Sequence, residues 1–97
     1  MTERIRIDKW LWHARFYRTR PLAQHAAESG LVRLNGTRIV KSGHAIKIGD
    51  VLTVPQGREV LAVRVLAVGQ RRGPAPEARL LYEIVAENTL DQRPPAP

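Results

Sequence analysis

The dipeptide Asn35-Gly36 constrains the fold of this chain most, because it separates two short runs of strand-forming residues, 31–34 and 37–40. A two-residue type I′ turn needs a positive φ at both central positions, and Asn-Gly adopts this conformation readily. The sequence therefore predicts a β-hairpin whose two strands are joined by these two residues.

A two-residue loop also fixes how the two strands pair. Val32 then faces Ile39 on one side of the hairpin, and Arg33 faces Arg38 on the other side. Like charges directly opposite each other destabilise a hairpin, by roughly a few tenths of a kcal/mol. We interpret the arginine pair as a clamp for a nucleic-acid backbone, and the alternative is an exposed pair screened by salt.

Before the hairpin, apolar residues recur with the 3.6-residue period of a helix and predict a first helix over residues 8–17. Its buried face would carry Ile7, Trp10, Leu11, Ala14 and Tyr17. Trp12 and Phe16 would form a pair on another face. That pair is either a stacking surface for unpaired bases or a face that later strands cover.

A second helix is predicted directly after the first. Thr19 is a suitable N-cap, Pro21 fits the first turn, and Gly30 comes where a glycine would end the helix. Arg20 in the first turn opposes the helix dipole, by roughly 0.3–1 kcal/mol. A phosphate bound at this helix start would remove that cost, and the alternative is that Arg20 points into water.

Later in the chain, apolar residues predict strands over 46–54, with a turn at Gly49-Asp50, and over 60–68. Residues 71–76 are predicted to be a loop. Residues 80–86 fit a strand or a short helix, and their β-branched and aromatic content favours the strand.

These elements together predict an α+β fold, in which a helical hairpin packs on a small, mostly antiparallel sheet. The chain has 97 residues, which is the length of one domain. We expect a single domain over 1–88 and a disordered, proline-rich tail over 89–97.

Positive charge is concentrated in two segments of the chain. The whole sequence has a net charge of +7, while residues 4–20 alone carry +5 and residues 33–47 carry +4. A clustered basic surface on a small domain indicates a polyanion site, and the alternative is a solvated basic surface. Most of the cations are arginine, which binds phosphate bidentately and stacks on bases.

The sequence gives little support for catalysis or metal binding. It has no cysteine, which excludes disulfides and thiolate sites. His13, His25 and His44 have no carboxylate at a spacing that would position an acid and a base. We therefore predict no catalytic residue, no metal site and no cofactor.

No apolar run reaches the length of a signal peptide or of a membrane span. A cytoplasmic location and no membrane partner are expected. Binding to an anionic membrane would also need a basic amphipathic helix with a clean apolar face, which the sequence lacks.

Four short motifs resemble a known RNA-binding family, the S-four-type module, also called the alpha-L RNA-binding motif. They lie within residues 5–54 and are Asp8-Lys9-Trp10-Leu11, the Arg15 to Arg20 spacing, Gly30-x-Val32-x-x-Asn35-Gly36 and Gly49-Asp50-x-Leu52. The resemblance implies that RNA lies across the basic edge of the two helices and the hairpin.

A longer resemblance, over residues 4–88, is to the family of the bacterial heat-shock protein of about fifteen kilodaltons. It includes Arg71-Arg72-Gly73-Pro74-Ala75 and Leu81-Tyr82-Glu83. The resemblance implies binding to ribosomal RNA and a role in recycling large subunits that still carry peptidyl-tRNA. Many members continue into a longer charged tail, so contacts made by such a tail are not expected of this sequence.

The predicted partners are large-subunit ribosomal RNA and tRNA, bound by a monomer. The predicted RNA-binding residues are Arg6, Lys9, Arg15, Arg18, Thr19, Arg20, Arg33, Asn35, Arg38, Lys41, Ser42 and Lys47, with Arg71 and Arg72 as secondary candidates. The alternatives are an RNA-modifying or RNA-processing enzyme, or an accessory subunit of one, and a regulator that binds duplex DNA.

Overall fold

The α+β class predicted from the sequence is confirmed by the computed structural model, which describes residues 3–89. Residues 90–97 of the predicted tail lie outside the described residues. The elements in chain order are β1 (Arg4–Arg6), α1 (Ile7–His13), α2 (Arg20–Glu28), β2 (Arg33–Leu34), β3 (Thr37–Arg38), β4 (Ala45–Lys47), β5 (Val51–Gln56), β6 (Glu59–Val65), α3 (Ala75–Ala78), a 3₁₀ turn (Arg79–Leu81) and β7 (Tyr82–Thr89).

The strands form two antiparallel sheets. A small sheet pairs β1 with β4, and a five-stranded sheet has the order β3-β2-β5-β6-β7. The strand β1 was not predicted, since three residues next to a helix give no period-2 pattern. The segment 80–86, predicted as a strand, begins within the 3₁₀ turn and continues into β7.

The hairpin is confirmed in its turn, its register and its buried side. Asn35 and Gly36 both have positive φ, at 50° and 85°. Arg33 pairs with Arg38, as the two-residue loop requires. Val32 and Ile39 are buried, while both arginines are exposed.

The first helix ends earlier than predicted. α1 stops at His13, so the expected last turn through Tyr17 is wrong. Arg15 has a φ of 63° and Phe16 N–H donates to the Leu11 carbonyl at 3.0 Å. With Arg15 N–H on the Trp12 carbonyl at 3.1 Å, these bonds form a Schellman C-cap.

The early end of α1 turns Phe16 into the core. Its ring centroid lies 4.8 Å from that of Tyr82 in β7 and 6.0 Å from that of Trp10. A left-handed residue other than glycine costs roughly 1–2 kcal/mol, and burial of a phenylalanine contributes about 1.5–3 kcal/mol, which offsets that cost. Phe16 is therefore covered by a later strand and is not part of a stacking surface.

The second helix is confirmed, together with its predicted N-cap and the glycine that ends it. Thr19 Oγ1 accepts a hydrogen bond from Leu22 N–H at 3.3 Å, and Pro21 lies in the first turn. Gly30, with a φ of 75°, follows the C-cap. The contacting faces of α1 and α2 bury three alanines of α2, which allows the two helices to approach closely.

Candidate nucleic-acid interface

Asp8 organises the start of both helices. Its carboxylate is buried and accepts hydrogen bonds from Arg6 Nε and Nη2, each at 3.1 Å, and from Lys9 N–H at 2.7 Å. Arg20 Nη2 lies 3.5 Å from Asp8 Oδ1. Arg6 and Arg20 therefore share one buried counter-ion.

This contact changes the interpretation of Arg20. Its unfavourable position at a helix start is offset by Asp8, so a phosphate is not needed to explain it. The side chains of Arg6 and Arg20 remain 52% and 40% exposed. They can still face an RNA, but their first partner is within the protein.

Arg15, predicted as a phosphate contact, also has a structural role. Its Nε donates a 2.6 Å hydrogen bond to the Gly73 carbonyl, which lies 58 residues further along the chain. The bond fastens the loop between β6 and α3 to the end of α1. Sequence reasoning missed this contact because it depends on where a distant loop packs.

Two predicted polar contacts also have partners within the fold. The Thr19 hydroxyl accepts the capping bond of α2. Ser42 is buried, and its hydroxyl donates to Glu28 Oε2 at 3.2 Å, which ties the segment after the hairpin to α2. Both side chains hold the surface in shape, and the exposed Thr19 hydroxyl, which accepts the capping bond, still has its own proton to donate.

Asn35 and Lys47 converge on Asp50. Asn35 Nδ2 donates to Asp50 Oδ1 at 3.2 Å, and Asn35 Oδ1 accepts from Val51 N–H at 2.9 Å. Lys47 reaches Asp50 with its backbone N–H at 2.9 Å and its Nζ at 3.1 Å. Burial opposes ionisation of this carboxylate, but the bonds from Lys47 and Asn35 prevail and lower the pKa of Asp50.

The remaining predicted cations have no hydrogen-bond or ion-pair partner on their side chains within residues 3–89. They are exposed, and they are Lys9, Arg18, Arg33, Arg38 and Lys41. The Arg38 guanidinium packs over Gly30, where a Cβ would clash with it. The hairpin arginines are thus exposed and have no counter-ion among the described residues, and their contact with a nucleic-acid backbone stays a prediction.

The two secondary candidates differ from each other. Arg71 pairs with Glu77 at 3.0 Å on the surface. The Arg72 guanidinium lies over the ring of Trp12, with 5.9 Å between its central carbon and the ring centroid. Unlike Phe16, Trp12 is only partly buried, so the predicted Trp12–Phe16 surface is reduced to Trp12.

One basic cluster was missed by sequence reasoning. Arg4 in β1 lies directly opposite Lys47 in β4, and both line a shallow cavity of about 180 Å³ with His44. Arg4 belongs to the basic segment 4–20, but only the unpredicted pairing of β1 with β4 brings it beside Lys47. Because Asp50 also lines the cavity and pairs with Lys47, the cation that β1 adds beside the hairpin turn is Arg4.

His13 is buried beside the loop that follows β6. Its Nδ1 lies 3.3 Å from the Val68 carbonyl, which can only accept, so Nδ1 carries the proton. Burial lowers the pKa of His13, and the charges of Lys9 and Arg20 lower it further. Among residues 3–89, no group of three or more His, Asp or Glu side chains could hold a metal ion.

No helix in the part of the chain that the structure describes is long and apolar enough to cross a membrane. The described helices are short, and the longest is α2 with nine residues.

Comparison with known proteins identifies a family that matches residues 5–52, which include the helical hairpin and the β-hairpin. Residues 5–52 match the family model described as S4 domain. A solved trimeric structure of heat shock protein 15 from Vibrio cholerae superposes with a TM-score of 0.81 at 42% identity, covering 87% of this chain and 84% of that one.

Curated relatives fall into two groups by name. The heat shock protein 15 homolog of Aeromonas salmonicida is 50% identical over 82 residues, which cover 84% of this chain and 61% of that protein. Heat shock protein 15 of Escherichia coli K12 is 46% identical over 84 residues, or 87% and 62%. The chain thus spans about three-fifths of the length of these relatives.

The second group matches over its full length. The RQC P-site tRNA stabilizing factor of Bacillus subtilis 168 is 32% identical over 88 residues, which cover 91% of this chain and 100% of that protein. The factor of the same name from Halalkalibacterium halodurans is 31% identical, with 98% of its length covered.

Proposed function

We propose that this chain, which belongs to the S4 domain family together with heat shock protein 15 and the RQC P-site tRNA stabilizing factors, is a ribosome-associated RNA-binding protein. The observation that carries the proposal is the set of five exposed, predicted cations that have no partner within residues 3–89. Self-repulsion between such cations destabilises the free protein, and a polyanion relieves it.

The geometry favours recognition of RNA shape. Arg33 and Arg38 lie opposite each other on the paired strands β2 and β3, while Lys9 lies in α1 and Arg18 lies between α1 and α2. Contacts of this kind position a protein on a phosphate backbone and do not read base sequence. We expect a structured RNA, with the hairpin and the helix edge on neighbouring phosphates.

At finer detail, we propose that the RNA is large-subunit ribosomal RNA and that the protein acts in the cytoplasm on large subunits still carrying peptidyl-tRNA. The support is the name of one group of relatives, which specifies a tRNA in the ribosomal P site. Crosslinking to separated subunits, followed by mapping of the crosslinked nucleotides, tests this. Crosslinks confined to the small subunit would contradict it.

We also propose that the chain acts by binding and not by catalysis, because the relatives just described are named as a stabilizing factor or a heat shock protein. Incubation with labelled ribosomal RNA should leave the RNA uncut and unmodified. Cleavage or modification that increases with protein concentration would favour the enzyme class instead.

RNA binding is tested by its dependence on salt. If four to six phosphates are neutralised, log affinity should fall against log salt with a slope of roughly −3 to −5. Replacing two unpartnered cations, Arg33→Ala with Lys41→Ala, should reduce the magnitude of that slope by about 1.4–1.8.

The matched control removes the same charge elsewhere, with Arg64→Ala and Arg79→Ala. Arg64 is ion-paired with Glu83 on the last two strands, and Arg79 lies in the 3₁₀ turn. The slope of this control should stay near that of the unmodified protein. An equal reduction of the slope in the two double variants would mean that binding follows net charge alone. A slope near zero for the unmodified protein would refute RNA binding by phosphate contacts.

We propose that the protein binds RNA as a monomer, although the Vibrio cholerae relative was solved as a trimer. Sedimentation at the concentrations used for binding distinguishes the two states. A trimer mass at those concentrations would overturn the monomer and would require three cationic surfaces per particle.

A further inference from the structure

We propose that Trp12 is a stacking platform for one unpaired base of the bound RNA and that Arg72 is its displaceable cover. This proposal rests on the RNA binding proposed above and identifies the class of nucleotide that the protein recognises. The ligand is a nucleotide in a loop, a bulge or a strand end.

The two tryptophans of the chain have different surroundings. Trp10 is fully buried, and its Nε1 donates to the Ala67 carbonyl at 2.9 Å. Trp12, two residues later, only borders the core and is partly exposed. Lys9 lies three residues before Trp12, so an unpartnered cation and an accessible ring share one side of α1.

Arg72 covers Trp12 without being held in place by hydrogen bonds. The separation of 5.9 Å is at the outer limit of a cation–π contact, which is weak at exposed sites. No hydrogen bond or ion pair of Arg72 is found among the described residues, and its Nε is buried without an acceptor. An unmade hydrogen bond on a buried group disfavours this position.

The backbone directly after Arg72, in contrast, is fixed by a hydrogen bond to Gly73, and the side chain before it makes an ion pair. Arg71 is paired with Glu77, and the carbonyl of Gly73 accepts the 2.6 Å bond from Arg15. The loop is therefore held against the end of α1 while one side chain within it lacks a partner. Such an arrangement allows Arg72 to move without rearrangement of the loop.

A phosphate beside Trp12 would give Arg72 the acceptor that it lacks. Guanidinium binds phosphate with two parallel hydrogen bonds, which is a stronger contact than the one with the ring. Movement of Arg72 to that phosphate uncovers the indole, and a base can then stack on it. One nucleotide thus satisfies both side chains, its phosphate binding Arg72 and its base stacking on Trp12.

The base must be unpaired. In an A-form duplex, both faces of each base are stacked within the helix and are inaccessible to a side chain. Duplex RNA can still bind through phosphates, so the two RNA forms should differ only in the contribution of Trp12.

Tryptophan fluorescence of the full chain tests the platform, because Trp10 is buried and Trp12 is the accessible fluorophore. We expect an unpaired ten-nucleotide oligoadenylate to quench the emission and a duplex of equal length to leave it nearly unchanged. Trp12→Leu should weaken oligoadenylate binding by roughly 5- to 150-fold and duplex binding by less than twofold. Trp12→Phe, which keeps an aromatic face and the fold, should retain most of the affinity.

Arg72→Ala tests the cover, with Arg71→Ala as the matched control for charge. In the free protein, only Arg72→Ala should increase quenching of Trp12 by acrylamide. Unchanged acrylamide quenching in Arg72→Ala would overturn the cover.

Equal affinity of Trp12→Leu and the unmodified protein for oligoadenylate would overturn the platform. A phenylalanine variant that folds normally but binds as weakly as Trp12→Leu would also overturn it. Either result with a normal salt slope on ribosomal RNA leaves the proposed function intact, whereas loss of all RNA binding refutes both.

Discussion

Asp8 Oδ1 and Arg20 Nη2 lie 3.5 Å apart, so the first turns of α1 and of α2 are joined by an ion pair across the helical hairpin. The carboxylate is buried, and it also binds Arg6. Part of the positive charge of residues 4–20 is therefore neutralised inside the protein, and the unpartnered cations define the candidate RNA surface more narrowly than net charge does.

Asp8→Asn should lower the free energy of unfolding by about 1–3 kcal/mol. The amide cannot neutralise the two arginines, and removal of one member of a buried ion pair is destabilising. The effect is smaller than for a fully buried pair because both guanidinium groups are about half exposed and screened by solvent. Urea unfolding measures the change.

Glu77→Gln is the matched control, since it breaks an ion pair with Arg71 that is exposed on both sides. Its effect on unfolding should stay within about 0–1 kcal/mol. Equal destabilisation by the two variants would contradict a structural role for Asp8. RNA affinity of Asp8→Asn should not fall, because the change removes a negative charge from the basic face.

Asn35 contributes to stability in two separable ways, through its positive φ and through its amide. Asn35→Gly keeps the backbone conformation and loses the bonds to Asp50 and Val51 N–H, which should cost about 1–2 kcal/mol. Asn35→Ala loses both and should cost roughly 1 kcal/mol more. Equal unfolding free energies for the two variants would show that the turn conformation contributes nothing.

The hairpin could be predicted from the sequence because its determinants are local. Asn35 and Gly36 adopt positive φ on their own, and the turn sets the register of Arg33 and Arg38. The caps of α2 are predictable for the same reason, since Thr19 and Leu22 are three residues apart.

The end of α1 could not be predicted, because it depends on residues far along the chain. Arg15 adopts a positive φ where a glycine is usual, and this conformation allows Phe16 to pack against Tyr82. The contacts of the candidate RNA surface depend in the same way on how separate elements pack. Arg20 was interpreted from the helix dipole alone, while its partner Asp8 is identified only once the two helices are packed.

The stability of the protein should fall on mild acidification because of His13. Burial lowers the pKa of His13 in the folded protein, while the unfolded chain keeps the ordinary value near 6.5. Below about pH 6.5 the unfolded chain therefore binds more protons than the folded protein does. The stability that neutral His13 contributes is complete above that pH and is lost as the pH falls towards the lowered pKa of the folded protein. The slope can reach about 1.4 kcal/mol per pH unit.

Urea unfolding at pH 7.5 and pH 5.5 measures this loss, and His13→Gln should remove most of the difference between the two conditions. His25→Gln is the matched control, because His25 is exposed in the last turn of α2 and its replacement should leave the pH dependence in place. The titration of Asp50 does not contribute to the difference in stability between pH 7.5 and pH 5.5. Its pKa is lowered on folding, so its contribution is complete above about pH 4 and is lost only in stronger acid. A pH dependence that survives in His13→Gln and disappears in His25→Gln would assign the effect to the exposed histidine and contradict the prediction.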